Sequence, residues 1–258
     1  MAAPVNAFKA AITRGEVQIG AWVGLVGVDA AEVSARAGFD WLLIDGEHAP
    51  NDLQSIIAQL RVVEGRGSQP IVRPVSGETW MIKQYLDAGA QTLLIPMVDS
   101  AEQAEALAAA MRYPPQGIRG VGAALARASH YGSLADYVTT ANEQMCLLVQ
   151  AESRAAHANL DAILGVEGVD GVFVGPADLG ADMGFAGQDD APQVRAAILD
   201  IITRTVAAGK AAGILTLDAD LARECIALGA TFVATAIDTL SFSQAMRDAA
   251  TAGLALKP

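Results

Sequence analysis

A (β/α)8 barrel of the TIM type is the fold class that this sequence predicts, and three observations carry the prediction. Eight short apolar runs with strand character recur along the chain. Amphipathic stretches with helical spacing separate them, several closing on a glycine just before the next run, as helix C-termini do. Eight such units in 258 residues match the arithmetic of this barrel. A doubly wound open sheet is the alternative. It usually spends fewer strands, and no glycine-rich dinucleotide fingerprint follows the first run.

Taken in order, the chain begins with NAFKAAITRG, of mixed polarity, which reads as a short N-terminal capping helix. The expected strands are 18–25, 41–47, 69–75, 92–98, 146–152, 171–175, 212–216 and 232–238. Between them lie DAAEVSARAG, DLQSIIAQLRVVEG, SAEQAEALAAAMR and the long APQVRAAILDIITRTVAAG, all helical in pattern. Two places break the spacing: a loop over 113–133, long enough to be functional, and the glycine-rich stretch FVGPADLGADMGFAG over 173–187.

No linker or shift of composition divides the chain, so residues 1–258 are expected to form one barrel domain. With 52% hydrophobic and 18% charged residues it can build a large core. A net charge of −12 argues against nucleic acid and anionic membranes as partners. The apolar runs are too short to span a membrane, and no signal peptide is evident. Cys146 and Cys225 have apolar neighbours and no metal-type spacing, which suits reduced thiols in the cytoplasm.

In parallel α/β proteins, sites are built at the carboxyl ends of strands. The second strand, WLLID, runs directly into Gly46, Glu47 and His48. Asp45 and Glu47 either serve a site or cap the next helix; that helix is expected to start later, capped by Asn51 or Asp52. Trp22, Arg73, Pro96, Gln150, Glu152, Asp178 and Asp238 fall at other strand ends. Leu148, Gln150 and Glu152 alternate and so share a face. Glu152 and Asp178, from neighbouring strand ends, are a natural oxygen pair for a divalent cation that keeps water and substrate in its other positions. Simpler roles exist: Glu152 pairing with Arg154 or Arg73, and Asp178 capping a turn. Arg73 offers a fork for a carboxylate or keto oxygen, and the backbone amides over 175–178 offer a second anion contact. Lys9, Lys83, Lys210 and Lys257 all lie away from strand ends, which leaves a Schiff-base mechanism without a nucleophile. The chemistry that remains is metal-assisted polarisation with His48 as acid or base.

The segments LLIDGEHAPND, IVRP, QTLLIPMV, YPPQGIRGVG, LVQAES and GVDGVFVGPADLGADMGFAG resemble the hydroxyketoheptanedioate aldolase family, over essentially the whole chain. These are class II pyruvate aldolases of the phosphoenolpyruvate/pyruvate-like barrel superfamily. The resemblance implies reversible cleavage of 4-hydroxy-2-oxo acids to pyruvate and an aldehyde. It implies Mg²⁺, Mn²⁺ or Co²⁺ held by Glu152 and Asp178, with pyruvate on the metal. Arg73 would contact the enolate oxygen, and His48 would transfer protons with Asp87 as its partner. Trp22 and Leu215 read equally well as pocket walls and as core residues; Asp45, Gln150, Gly175 and Ala177 complete the expected substrate contacts. A citrate-lyase-like or malyl-thioester lyase would share this chemistry but needs basic contacts for coenzyme A. A barrel kept only for binding or assembly would not need His48, Arg73, Glu152 and Asp178 together.

The family also implies a homohexamer with the last helix exchanged between paired barrels. Asp87 precedes the fourth strand and His48 follows the second, so they should lie at opposite ends of one barrel, roughly 20 Å apart. Their pairing then requires a neighbouring subunit. The chain departs from its relatives at Ala123, Ala151 and Ala212, and Ala123 is expected to widen the aldehyde side of the pocket.

Overall fold

The computed structural model describes residues 1–188 and 190–258. Eight strands form one closed sheet in which every neighbouring pair, including first with last, is parallel. They are β1 Gln18–Val23, β2 Trp41–Asp45, β3 Gln69–Arg73, β4 Thr92–Ile95, β5 Cys146–Ala151, β6 Gly171–Val174, β7 Ala211–Leu215 and β8 Phe232–Ile237. All eight expected strands are present. All end one to three residues earlier than expected.

The described helices are α1 Ala7–Thr13, α2 Val28–Ala35, α3 Leu53–Val63, α4 Thr79–Ala88, α5 Ala101–Met111, α6 Tyr137–Gln144, α7 Arg154–Ala158, α8 Leu160–Leu164, α9 Pro176–Asp182, α10 Pro192–Ala207, α11 Ala219–Ala227 and α12 Asp238–Leu254. The expected loop over 113–133 holds two short 3-10 turns, and α6 follows it without any counterpart in the sequence reading.

Strand alternation sorts the side chains into two cores. Outward-facing residues such as Ile44, Val72, Leu93, Val149 and Val172 pack against the helices. Inward-facing Trp22, Trp41, Leu43, Ile71, Leu94, Leu148, Phe173 and Phe232 fill the barrel. The filling works by pairing large with small: a Cβ on Gly20 would overlap the Trp41 ring.

The amino-terminal end of the barrel is plugged by α1. Asn6 caps this helix through its side chain, which also reaches Thr92 at the start of β4. Phe8, 1% exposed, stacks edge-on against Trp41 and Phe232, the first residues of β2 and β8. The inner layers are thus apolar from the plug upward, and polar side chains enter only at the carboxyl end. Removing the plug should be costly: Phe8→Ala is expected to destabilise the fold by about 3–5 kcal/mol, as large-to-small changes at enclosed aromatics do. A denaturant midpoint equal to that of the parent protein would show that α1 is dispensable.

Candidate active site at the carboxyl end of the barrel

The parallel register sets Asp45 directly opposite Arg73 on β2 and β3, each at the last position of its strand. Both are one alternation above apolar interior residues, Leu43 and Ile71. Arg73 Nε donates to Asp45 Oδ1 at 2.9 Å and Nη2 to Oδ2 at 2.7 Å, a two-pronged pair buried on both sides. Nη1 stands 2.9 Å from Glu47 Oε2 and donates to Gln150 Oε1 at 3.4 Å. Beneath, the Trp22 ring centre is 5.4 Å from the guanidinium carbon, a cation–π contact. Trp22 itself is 5% exposed and stacks on Trp41 and Phe173. It therefore packs into the core and supports Arg73 from below. Leu215 closes β7 half-buried against the same interior.

Glu152 continues the face of Leu148 and Gln150 one residue beyond β5. Its Oε1 accepts from the Met97 backbone N–H at 2.8 Å, and its Oε2 accepts from Gln150 Nε2 at 2.5 Å. Met97 reaches this position with φ of 54°, in the left-handed region that residues with a side chain seldom adopt. The third side of the holder is an omission: a Cβ at Gly175, beyond the end of β6, would overlap Glu152 Oε2. Burial pushes the Glu152 carboxyl up to about 7; Asp178 and Glu47 push the same way, while the Met97 amide and Arg73 oppose. The Glu47 carboxyl is also raised, first by burial and then by Asp45 and Asp178, against the pull of Arg73 and His48. Asp178 lies in the first turn of α9, which starts with Pro176 and so offers one amide fewer than its length suggests.

Asp45 and Glu47 share one guanidinium, and the raised Glu47 and Glu152 carboxyls owe their shift first to burial and then to one another and Asp178. Glu152 and Asp178 fit a hard cation that takes one or two carboxylates and fills its other positions with small oxygen ligands. Among the described residues no three His, Cys, Asp or Glu side chains converge as a closed metal cage requires.

Two of the simpler roles belong to other residues. The capping of α3 belongs to Asp52, in a reciprocal box with Ser55, which frees Asp45 and Glu47. Arg154 pairs with Asp182, not with Glu152. Asp238 does act structurally, accepting the amides of Gly24 and Leu25. His48 stands at the mouth, its side chain 67% exposed, with Nε2 at 3.8 Å from Glu47. Ala177 is exposed beside Asp178. Sequence reasoning assigns Glu47 no specific role, although its two-residue spacing from Asp45 is a signal that both share a face. The Met97 amide has no sequence signal at all.

Two expected residues lie elsewhere in the chain. Asp87 is in the last turn of α4 and pairs with Arg119 at 2.7 Å. Ala123 is buried with Ala3, Tyr113, Ala128, Leu134 and Tyr137 at the amino-terminal end. The loop that carries it folds back beneath the barrel, tied by Arg127 to the Ala88 carbonyl and to Glu64. Within its own chain Ala123 therefore does not line the mouth; it lies at the same end as Asp87.

The sequence profile of HpcH/HpaI aldolase/citrate lyase matches residues 18–245. A hydroxypyruvate/pyruvate aldolase of Pseudomonas aeruginosa is 58% identical, with 96% of this chain and 92% of the relative covered. A 4-hydroxy-2-oxo-heptane-1,7-dioate aldolase of Salmonella dublin is 56% identical over 91% of this chain and 89% of the relative. Among solved structures, an HpcH/HpaI aldolase/citrate lyase family protein from Burkholderia cenocepacia superposes with a TM-score of 0.91. It is 36% identical, with 96% of this chain and 98% of that chain covered.

The cradle around Glu152 is testable without substrate. Gly175→Ala must displace the carboxylate or shift β6, at a cost of about 1–3 kcal/mol in unfolding free energy. An unchanged denaturant midpoint would mean that Glu152 is not confined as described.

Proposed function

The chain belongs to the HpcH/HpaI aldolase/citrate lyase family and is an aldolase, a carbon–carbon lyase; from that premise we propose how its residues divide the reaction. The substrates are 4-hydroxy-2-oxo acids, split reversibly into pyruvate and an aldehyde. The observation that carries this reading is the buried Asp45–Arg73 fork set beside the carboxylates Glu152 and Asp178. Glu152 and Asp178 would hold Mg²⁺, Mn²⁺ or Co²⁺, which when bound supplies an electrophile for the keto oxygen.

Asp45 takes the Nε and Nη2 sides of Arg73, so Nη1 is the donor turned toward substrate, shared with Glu47 and Gln150. Its fixed charge meets the negative charge that grows on the keto oxygen as the enolate forms. His48, exposed at the mouth, takes the proton of the 4-hydroxyl group. The C3–C4 bond then breaks, its electron pair passing into the enolate as the aldehyde leaves. Return of that proton from His48 to C3 gives pyruvate. Leu215 and the amides near Gly175 and Ala177 border the bound oxo acid. A coenzyme A thioester lyase is less well supported, since the one cation buried in this cluster is already forked by carboxylates.

The site is completed by assembly. His48 has Glu47 as its carboxylate neighbour within the chain, whereas Asp87 belongs to the opposite end. We assign Asp87 to His48 of another subunit in a homohexamer. A second feature favours assembly: α12 has no buried residue and presents Leu240, Phe242, Met246 and Leu254. Such a face suits exchange onto a second copy. The cytoplasm suits the two unpaired, buried cysteines, and among the described residues no helix is long and apolar enough to cross a membrane.

Chelation should abolish cleavage, and Mg²⁺, Mn²⁺ or Co²⁺ should restore it; Glu152→Ala and Asp178→Ala should stay inactive with any of them. Full activity in chelator, or a pyruvate adduct trapped on lysine by borohydride, would refute the metal-dependent mechanism.

Mixing inactive His48→Ala and Asp87→Ala subunits tests the shared site. After subunit exchange, sites that pair an intact His48 with an intact Asp87 should recover activity. A mixture as inactive as its parents, once exchange is demonstrated, would exclude a dyad across chains.

A further inference from the structure

Arg119 takes no part in the site at the carboxyl end, yet its side chain is fully enclosed, 0% exposed. It lies in the segment that runs from α5 back beneath the barrel. Its guanidinium carbon stands 4.3 Å from the ring centre of Tyr113 and 5.9 Å from that of Tyr137. Nη2 donates to Asp87 Oδ1 at 2.7 Å, and Nη1 rests 3.8 Å from Met145 Sδ. Nε is buried with no hydrogen-bond partner. Among the described residues Asp87 is the carboxylate this cation pairs with.

Enclosing a guanidinium is costly, and an apolar side chain of similar volume would fill the same space without that cost. Attraction to the tyrosine faces offsets part of it. The rest makes sense if holding Asp87 matters. Asp87 keeps 26% of its side chain exposed. Its Oδ1 is taken by Arg119, while its Oδ2 faces Gly122, where an added Cβ would sit 3.9 Å away. Asp87 lines a groove of about 440 Å³ together with Leu53, Ile57, Gln84 and Leu125. One carboxylate oxygen is anchored by an enclosed cation, and the side chain stays partly exposed beside the groove.

We propose that Arg119 is a positioning residue of the aldolase reaction. It pins Asp87 by Oδ1 so that Oδ2 is held in a fixed direction for His48 of a neighbouring copy. The inference rests on the reading that Asp87 serves another subunit's histidine. The planar guanidinium, lying against the Tyr113 ring with Tyr137 to one side, fixes the direction of its donors; an ammonium in the same place would supply charge without that direction. It also tempers the carboxylate, since its positive charge offsets part of the field that Asp87 projects onto the imidazole.

A double-mutant cycle on the assembled, metal-loaded enzyme tests the inference, with oligomeric state and thermal midpoint measured for each variant. Asp87→Asn is expected to lower kcat by roughly a hundredfold, the lower range for loss of acid–base assistance. Arg119→Met is expected to lower kcat by about tenfold or more when Asp87 is intact, and not at all when added to Asp87→Asn. With Asp87 intact the acidic limb of the kcat/KM profile should also move to higher pH, because the untempered carboxylate favours the imidazolium. A purely structural role would lower activity in both backgrounds and leave that limb in place. Arg119→Lys serves as the second variant where Arg119→Met fails to assemble; it should assemble and fall between parent and Met. If Asp87→Asn is as active as the parent, the shared-site reading falls and this inference with it. If Asp87→Asn is impaired but the Arg119 variants assemble and match the parent, or impair both backgrounds equally, the inference alone is overturned.

Discussion

One guanidinium holds the carboxyl end of this barrel together. Arg73 is gripped by Asp45 across the β2–β3 register, underlain by Trp22, and touched by Glu47 and Gln150. The interaction is available only because strand alternation brings Asp45 and Arg73 inward at the same height. A register slip of one residue would turn both to the outer face, against apolar helices. The pair is buried, so losing either member would strand a charge in a dry layer. Everything above it, the turn through Glu47 to His48 and the carboxylate of Glu152, is placed relative to this fixed point.

The fold was legible because barrel strands covered on both sides leave continuous apolar runs such as WLLID and CLLVQ. Their ends were less legible, since Glu47, Val75 and Thr216 continue the local pattern after the ladder has stopped. Helix α6, YVTTANEQ, has no sequence signature because it is polar and shows no clear apolar stripe. Strand ends, with alternation along the fifth strand, were enough to place Asp45, Arg73, Gln150 and Glu152 together at the carboxyl end. They were not enough for the Met97 amide, whose direction depends on a left-handed backbone residue, nor for Arg119, which in sequence is one arginine of a loop. Ala123 shows the same limit: a loop's place in sequence does not reveal which end of its own barrel it covers.

The polar groups of the chain are divided between the two ends. The carboxyl end carries Arg73 and the crowded carboxylates, with His48 exposed. The amino-terminal end carries the enclosed Arg119 and the half-exposed Asp87, beside a loop with Ile118, Val121, Leu125 and Tyr131 open to solvent. In the shared-site proposal, His48 at one end and Asp87 at the other are counterparts. A lone chain cannot fold one end onto the other, because the barrel between them is closed and packed solid by Trp41, Phe173 and Phe232. Exposed apolar side chains around such a split set of groups are what association of copies would cover, and the bare face of α12 extends that requirement.

The crowded carboxylates also bear on stability. Glu152 has its carboxyl raised in the folded chain to about 7 from an ordinary 4.5. Below the lower value both folded and unfolded chains hold the proton, and the group costs nothing. As pH rises from there toward 7, the unfolded chain releases the proton while the folded chain keeps it. Stability then falls by about 1.4 kcal/mol per pH unit, approaching roughly 3 kcal/mol once Glu152 is ionised. The cause is mainly burial, with Asp178 and Glu47 adding to it. At neutral pH the bare chain therefore carries a cost located at this carboxylate, and the cradle of Met97, Gln150 and Gly175 keeps it from swinging out to water. A divalent cation between Glu152 and Asp178 would reverse the sign of that local balance, so the confinement that burdens the bare fold is what would make the site bind.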